Sequence, residues 1–386
     1  MSAHRINVVG AGLAGSLVAI YLARAGYSVH IYEKRSDPRR ARSNSARALN
    51  LVISKGSIRL LDEAGLSGHI REVALPFKGR MMHSRSGDLR FQAYGKQAGG
   101  MPSLLTPEEG GNSMPRAALN ALLVQAADNL HGVEVLFEHR VADCDLETGI
   151  LTVLDPQGRQ MTISGDVVIG ADGTFSAIRQ RMAQLPMFTL HQPRLEYGYK
   201  ELHIPPGPDG GFLMEKHALH IWPRAGFIMS ALPNFGGSFN GNLFLPLSGA
   251  NSFDSLARDA DVARFFAENF PDLISLVPRL SAEFLEHSVN PLVAVRCWPW
   301  HSTRAVLLGD ACHTMYPFSG LGANLALEDC AVLAECIREF SPDWRQAFLA
   351  YSTRRRSTIE DVFDASVIVT PLLLACLPED GVTGKL

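Results

Sequence analysis

Long apolar runs, an excess of one charge and metal-type cysteine spacing are all missing from this sequence. A membrane-spanning helix needs about 18 or more consecutive apolar residues. The nearest candidate, 362–378, is interrupted by Asp364 and Pro371 and reads as a buried or interfacial segment. The 36 basic and 39 acidic residues give a net charge of −3, which argues against a broadly basic nucleic-acid binder. We therefore expect neither a transmembrane helix nor a nucleic-acid partner.

The six cysteines form no CxxC pair, and no cluster of cysteine and histidine has the spacing of zinc ligands. Reduced thiols in the cytoplasm are the simplest interpretation, and no metal is predicted. The N-terminus leads directly into an apolar strand at 6–9, without the basic and long apolar regions of a secretion signal. These absences predict a cytoplasmic protein.

The chain is long and apolar enough to bury a sizeable core. Its 386 residues, of which 46% are hydrophobic, argue against intrinsic disorder and allow two or three domains, or one large α/β body with an inserted sheet. The N-terminal region predicts a βαβ unit, with strands at 6–9 and 29–33 around a helix at 16–25. The stretch 95–115 is rich in glycine and proline and predicts a loop.

The rest of the chain predicts an inserted sheet followed by a return to the α/β body. Short strands between 197 and 245 are separated by glycine and proline turns, which is typical of an antiparallel or mixed sheet. The predicted helices are 116–131, 253–270 and 321–340. The predicted strands are 133–137, 151–154, 161–164, 166–170, 197–204, 220–222, 227–231, 241–245 and 305–308.

A glycine-rich turn joins the first strand to the first helix. The motif Gly10-Ala-Gly12-Leu-Ala-Gly15 permits a tight turn and a close approach of the backbone to a pyrophosphate, and the helix N-terminus offers free N–H groups. Glu33 ends the next strand, where its carboxylate can accept hydrogen bonds from ribose hydroxyls. The pattern predicts a dinucleotide site without separating FAD from NAD(P).

Two later strands carry a second and a third motif. One strand is followed by Ala171-Asp172-Gly173, and the other ends in Gly309-Asp310. Asp310 can bind a ribityl hydroxyl, and the glycine-rich segment 317–324 before the next helix can bring N–H groups to the polar edge of a flavin. These two motifs favour FAD as the dinucleotide.

In this order and spacing, the three motifs resemble those of the group A flavoprotein aromatic hydroxylases. Further segments resemble the kynurenine 3-monooxygenase family, from about residue 6 to about residue 356: 79–83, 94–95, 197–202, 217–224, 231–234 and 269–272. The resemblance implies an α/β fold in which a Rossmann-like FAD-binding domain holds an inserted mixed or antiparallel β-sheet substrate domain. It predicts FAD-binding parts at 1–75, 111–185 and 296–355, substrate-domain parts at 76–110 and 186–295, and a short C-terminal tail at 356–386.

The resemblance also implies site residues. Arg80 and Tyr94 fall where the family holds the carboxylate of its amino-acid substrate, a task that suits the planar fork of arginine. No catalytic side chain is implied, because the flavin carries the chemistry. Together with the motif glycines Gly10, Gly12, Gly15 and Gly322, the expected FAD contacts are Ala14, Glu33, Lys34, Arg35, Val52, Arg116, Val141, Asp310, Ala323 and Asn324.

The chain departs from the family pattern beside the expected ring-binding pocket and at its end. Ser319, Leu321 and Ala323 stand where the family has a larger residue, a glutamine and a methionine, which implies a reshaped pocket. The loop 95–115 also looks longer than its family equivalent. The family completes its carboxylate clamp with an asparagine and a tyrosine near the C-terminus. Here Val369 takes the asparagine position and the sequence ends before the tyrosine, which implies an incomplete clamp and no membrane anchor of the animal type.

The implied activity is that of an FAD-dependent monooxygenase, which uses NADPH and O2 to hydroxylate a small electron-rich aromatic substrate. A kynurenine-like ortho-amino aromatic ketone is the first choice. Two alternatives stay open: a hydroxylase of another tryptophan-derived or indolic compound, and a flavin-binding NADPH oxidase that is uncoupled from hydroxylation. His83, His220 and His313 receive no catalytic role, and His220 is expected to point away from its apolar neighbours along the strand. A homodimer is one option for the assembly.

Overall fold

The computed structural model describes residues 4–40, 49–94 and 110–376, without the side chains of 369, 372, 373, 375 and 376. The helices in these ranges are α1 Leu13–Arg24, α2 Lys55–Glu63, α3 Ser67–Val73, α4 Arg116–Asp128, α5 Ala177–Met182, α6 Asp259–Asn269, α7 Pro271–Leu276, α8 Leu280–Glu286, α9 Gly322–Phe340 and α10 Trp344–Cys376. The strands are β1 Arg5–Val9, β2 Ser28–Glu33, β3 Asn50–Ile53, β4 Leu75–Phe77, β5 Gly79–His83, β6 Leu89–Ala93, β7 Gly111–Pro115, β8 Val133–Phe137, β9 Arg140–Cys144, β10 Leu151–Leu154, β11 Gln160–Ile163, β12 Val167–Gly170, β13 Thr189–His191, β14 Arg194–Ile204, β15 Ala218–Arg224, β16 Phe227–Pro233, β17 Phe239–Pro246, β18 Asn290–Val293, β19 Val295–Trp298, β20 Ala305–Leu307 and β21 His313–Thr314.

A five-stranded parallel sheet forms the centre of the α/β body, in the order β20-β12-β1-β2-β8. Its strands are almost entirely apolar because helices cover both faces, and Val8, Ile31, Ile169 and Val306 are fully buried. The carboxyl ends of parallel strands meet at one edge of the sheet, which is where ligands bind in such folds. The predicted Rossmann-like sheet is confirmed.

A seven-stranded sheet forms the second layer, in the order β18-β14-β17-β16-β15-β5-β6. All its strand pairs are antiparallel except β5 with β15, so the predicted mixed sheet is confirmed. Alternate side chains point to opposite faces. One face, with Leu202 and Leu243, packs on the aromatic core under α6, α7 and α8. The other face, with Tyr199 and Phe244, packs on the α/β body. We call these the helix face and the flavin face.

The predicted loop at 95–115 is wrong at its end, where Gly111–Pro115 forms β7. This strand pairs with β3 on one side and β4 on the other, so its glycine and proline are accommodated by backbone pairing with two neighbours. Positions 95–109 lie outside the described residues, and with them the predicted extra length of this loop. Composition predicted a loop here because it reflects only neighbouring residues. It carries no information on strands that pair from distant parts of the sequence.

The predicted helix at 253–270 is wrong over its first part, since α6 begins only at Asp259. The preceding turns are held by two serine side chains. Ser252 Oγ donates to Gly249 O and Ser255 Oγ donates to Ser252 O, at 2.7 and 2.8 Å. Such side-chain bonds to the nearby backbone compete with helix formation.

The C-terminal region is a continuous helix rather than a separate tail. α10 runs through the predicted boundary at 356, with Pro371 inside it. Phe363 and Leu374 on this helix are buried, which agrees with the interpretation of 362–378 as a buried segment. In the ranges that the structure covers, no helix has both the length and the apolar character needed to cross a bilayer.

Candidate active site

The glycine turn after β1 is closed at two glycines and open at the third. Gly10 has φ +100°, and a Cβ there would lie 2.5 Å from Ala171 O. A Cβ on Gly15 would lie 1.9 Å from Gly10 O, whereas a Cβ on Gly12 would meet no atom within 4 Å. Gly12 caps α1, whose first N–H groups therefore face free space. This cradle fits a pyrophosphate group of FAD.

Glu33 is held beside this turn at the end of β2. Its carboxylate accepts from Ala11 N at 2.8 Å and from Arg35 N at 2.9 Å. These two backbone donors fix the carboxylate next to the cradle and leave lone pairs for further donors. The geometry fits ribose hydroxyls, as the motif predicts.

Asp310 follows β20 at the same edge of the parallel sheet. Its backbone oxygen accepts from Thr314 Oγ1 at 2.9 Å. Its half-buried carboxylate has no hydrogen-bond partner among the described residues. A carboxylate in this position can accept hydroxyl donors of a ribityl chain. The residues at this edge therefore fit the FAD that the motifs indicate.

Asn324 differs from the other predicted FAD contacts because its side chain is fully used within the protein. Its Oδ1 accepts from Ser54 N and Ser57 Oγ, and its Nδ2 donates to Val52 O and Gly320 O, over 2.8–3.0 Å. A side-chain amide makes about four hydrogen bonds. Asn324 therefore positions β3 and α2 against the start of α9, and only its backbone N–H is left for a cofactor.

The other predicted FAD contacts border the same edge in different ways. Lys34, Arg35 and Arg116 are exposed, while the Val141 side chain is buried in the main core. Ala14, Val52, Gly322 and Ala323 are partly covered, and a Cβ on Gly322 at the start of α9 would meet no atom within 4 Å. Val141 can therefore reach a ligand only through its backbone.

Arg80 and Tyr94 meet on the flavin face of the seven-stranded sheet. Arg80 Nε donates to Tyr94 Oη at 3.2 Å, and the guanidinium carbon lies 5.4 Å from the centre of the Tyr94 ring. Only 8% of Arg80 is exposed, and burial raises the pKa of the Tyr94 phenol while Arg80 opposes this. The two residues predicted to hold a carboxylate are therefore neighbours.

An aromatic wall connects this sheet to the glycine-rich segment before α9. The rings of Tyr199 and Phe244 are 5.5 Å apart, and Phe244 is 4.5 Å from Phe318. Phe318 lies in the 3₁₀ turn Pro317–Ser319, directly before the segment expected at the flavin. Ser319 and Leu321 beside it are half-buried. The Val369 side chain lies outside the described residues, so the predicted gap in the clamp stays a prediction.

A buried ionic cluster behind the Gly309-Asp310 turn was missed at the sequence level. His313 Nε2 lies 2.6 Å from Asp329 Oδ2, and Arg355 Nε donates to Asp329 Oδ1 at 2.7 Å. Burial would raise the pKa of the fully buried Asp329, but His313 and Arg355 outweigh this and hold it below its usual range. The cluster fastens the turn to α9 and α10. Spacing does not reveal it, because Arg355 is 26 residues from Asp329.

A second missed cluster lies on the helix face. His83 Nδ1 is 2.8 Å from Asp272 Oδ2, His83 Nε2 is 2.8 Å from His220 Nδ1, and His220 Nε2 is 2.8 Å from Glu215 O. Asp272 Oδ2 and Glu215 O are the acceptors at the two ends of this chain, and the two rings share the hydrogen bond between them. His220 points away from Ile221, as expected. The cluster faces away from the candidate site.

Comparison with known proteins agrees with this architecture. The FAD binding domain family matches residues 4–198 and 262–366. The 2-methyl-3-hydroxypyridine-5-carboxylic acid oxygenase in its tetrameric form has a TM-score of 0.76 at 19% identity, over 97% of this chain and 94% of its own. PqsL of P. aeruginosa in complex with 2-aminobenzoylacetate has a TM-score of 0.74 at 18% identity, over 97% and 99%. Fold and cofactor site together define an FAD-binding flavoprotein.

Sequence relatives narrow the class. The kynurenine 3-monooxygenase of Myxococcus xanthus is 42% identical over 94% of this chain and 76% of its own length. That of Salinispora arenicola is 41% identical over 94% and 78%. The chain therefore belongs to the kynurenine 3-monooxygenase family of FAD-binding flavoproteins. The predicted fold class, the FAD-dependent monooxygenase activity and the cofactors FAD and NADPH are confirmed.

Proposed function

We propose that this monooxygenase hydroxylates a kynurenine-like ortho-amino aromatic ketone that carries a carboxylate. The observation that carries the proposal is the Arg80–Tyr94 pair, which lies on the same sheet face as the aromatic wall. An arginine fork binds a carboxylate at two points, and the Tyr94 phenol adds a third donor. The name shared by the relatives supports the same substrate class.

The residues of the chain bind the substrate, orient its ring and shield it from water. Arg80 and Tyr94 hold the carboxylate end, while Phe244 and Phe318 orient the ring and exclude water. When bound, FAD supplies the activation of O2 with electrons from NADPH. The cradle at Gly12, the carboxylates of Glu33 and Asp310, and the remaining predicted contacts hold that cofactor; each assignment is part of the proposal.

The test is aerobic NADPH consumption by the purified yellow protein, with and without L-kynurenine, followed by mass analysis of the products. We expect faster NADPH loss and a product that is heavier by one oxygen atom. Faster NADPH loss with hydrogen peroxide alone contradicts kynurenine as the substrate and supports the uncoupled oxidase. No response to kynurenine with a response to an indolic ring supports the alternative of a tryptophan-derived or indolic substrate, which the small side chains at Ser319 and Ala323 favour.

We also propose a cytoplasmic location and a homodimer. The five cysteines that the structure describes, Cys144, Cys297, Cys312, Cys330 and Cys336, are free and buried, which suits a reducing compartment. Light scattering of the purified protein tests the assembly, with the mass of two chains expected. A monomer or a tetramer contradicts it.

A further inference from the structure

Three polar side chains cross the flavin face of the seven-stranded sheet side by side. In the strand register, Glu201 of β14 pairs with Asn242 of β17, and Asn242 pairs with Ser230 of β16. Residues directly opposite in antiparallel strands have their side chains on one face, about 4.5–5.5 Å apart at Cβ. We call Glu201, Asn242 and Ser230 the polar row.

The polar row lies next to the aromatic wall. Two residues along each strand, the neighbouring row consists of Tyr199, Phe244 and Ile228, which pack on the α/β body. Phe244 in that row contacts Phe318 beside the glycine-rich segment. The polar row is therefore on the side of the sheet that faces the candidate site.

Asn242 is the unusual member, because its amide oxygen is buried without a partner. Only 6% of the residue is exposed, and its Oδ1 makes no hydrogen bond within the described part of the chain. Asn240, two residues earlier, is bonded through its amide to Asn50 and Asn234. A buried polar atom without a partner destabilises a protein. An unpaired amide in this place therefore indicates a partner that arrives from outside the chain.

The residues beside Asn242 are less buried than Asn242 itself. Glu201 and Ser230 on its two sides are only half-buried, and so is Ile221, which pairs with Ser230 on the next strand. Burial raises the pKa of Glu201, although His287 and Arg116 oppose the effect. The row thus offers oxygen atoms to a ligand in a poorly hydrated setting.

The polar row also lies on the same sheet face as Arg80. Ile221 pairs with Met82 on β5, and Arg80 is two residues before Met82 on the same face. Three strand spacings separate β5 from β17, which is about 14 Å at ~4.8 Å each. A ligand whose carboxylate is held by Arg80 must therefore span β15 and β16 to reach Ser230 and Asn242.

We propose that Asn242, flanked by Glu201 and Ser230, determines substrate specificity by accepting a hydrogen bond from an amino or hydroxyl group on the substrate ring. The unpaired Oδ1 is an acceptor, so the group that completes it must be a donor. The inference rests on the proposed function in one respect, namely that Arg80 holds the carboxylate at the opposite end.

The test compares two pairs of ligands that differ only in a ring amino group. One pair is L-kynurenine and the same molecule with hydrogen in place of the ring amino group. The other is 4-(2-aminophenyl)-4-oxobutanoate and 4-phenyl-4-oxobutanoate, which lack the α-amino group. Binding to the holoenzyme is followed by the change in flavin absorbance. We expect the amino-bearing member to bind at least tenfold more tightly to the unaltered protein, and Asn242→Leu to reduce this ratio to about one.

Asn240→Leu is the matched control for stability. We expect Asn242→Leu to raise the thermal midpoint of the ligand-free protein, because it removes an unpaired buried amide. Asn240→Leu is expected to lower the midpoint, because it breaks bonded amides. Asn242→Ala, which leaves more space, is expected to remove ligand discrimination as well, and it serves if the leucine variant does not fold.

The outcomes separate this inference from the proposed function. If the unaltered protein does not distinguish the paired ligands, or if Asn242→Leu keeps the ratio, the inference is wrong whatever the hydroxylation assay shows. If the pairs are distinguished but kynurenine is not hydroxylated, the proposed substrate is wrong and the role of Asn242 stands. If none of the four ligands binds, both are contradicted.

Discussion

The two faces of the seven-stranded sheet are formed by the same strands but differ in how completely their side chains are buried. On the helix face, Trp222 and Phe239 are fully buried in the same core cluster as Phe266 of α6. On the flavin face, Tyr199 and Ser230 are left half-buried, and the Asn242 amide has no partner among the described residues. One residue of displacement along a strand separates a closed core from an open binding surface.

The comparison teaches where stability and recognition are located. Closed positions contribute apolar burial, which stabilises the fold wherever it occurs. Open positions contribute little to folding and expose groups that a ligand can complete. Substitutions on the two faces should therefore change different measurements.

The glycine turn after β1 also has a closed position, Gly15, and an open position, Gly12. Substitutions there should have the largest effects on folding and flavin binding. Gly15→Ala places a methyl group 1.9 Å from Gly10 O, so β1 and α1 can no longer pack as they do. We expect insoluble protein or protein without flavin. Gly12→Ala is the control, because its methyl group meets no atom within 4 Å; it should fold with a similar thermal midpoint and bind FAD more weakly. If the two variants had the same flavin content and the same thermal midpoint, the distinction between a closed position at Gly15 and an open position at Gly12 would be wrong.

In α6, which covers the helix face, Phe266→Ala tests the closed core. The Phe266 ring lies 5.4–5.9 Å from the rings of Phe265, Phe270 and Phe284. Its removal should lower the free energy of unfolding by about 3–5 kcal/mol, because a cavity remains. Denaturant titration measures this loss, while the substrate KM should stay unchanged. The exposed Phe235 is the control, and its change to alanine should shift stability by less than about 0.5 kcal/mol.

The helix face also predicts a dependence of stability on pH. Burial lowers the pKa of His220 to about 4, against 6.5 for an ordinary histidine. The folded form therefore binds this proton less readily than the unfolded chain. The stabilisation is complete above pH ~6.5 and is lost as pH falls toward 4, up to about 3 kcal/mol.

Denaturant titration at pH 7 and pH 5 measures this loss. His220→Gln should lower stability at pH 7 and reduce the difference between the two pH values. His69→Gln is the control, because His69 is exposed, and it should leave the difference as it is. Asp272, whose pKa is held low by its bonds to His83 and Trp222 against the effect of burial, contributes only at lower pH. An unchanged pH difference in His220→Gln would contradict this account.

On the flavin face, changes at Arg80 should affect binding more than folding. Arg80→Met removes the charged donors expected at the substrate carboxylate, which costs about 1.5–3 kcal/mol and raises the substrate Kd by about 10- to 150-fold. Tyr94→Phe removes one neutral donor and should raise Kd by less than about tenfold. Titration of flavin absorbance with the substrate measures both. A larger effect at Tyr94 than at Arg80 would reverse their proposed order.

Local signals predicted the cofactor edge better than the substrate surface. The strand, turn and helix around Gly12 and the acid at Glu33 follow each other in the sequence, so their joint geometry could be predicted. The Arg80–Tyr94 contact came from a family resemblance, because it depends on the β5–β6 register. The polar row joins residues of β14, β16 and β17 through pairings that hydropathy does not encode. His83 and His220 are 137 residues apart and meet only through the β5–β15 pairing.

The interleaving of the two sheets has a consequence for how the protein is made. The parallel sheet needs β1 and β2 from the start of the chain, β12 from its middle and β20, which ends at Leu307. During synthesis, the flavin-binding edge stays incomplete until Ala305–Leu307 has left the ribosome. By then the strands of the second sheet up to β17 have already been translated. All the strands that form the cofactor-binding edge are therefore present only after about four-fifths of the chain has been made.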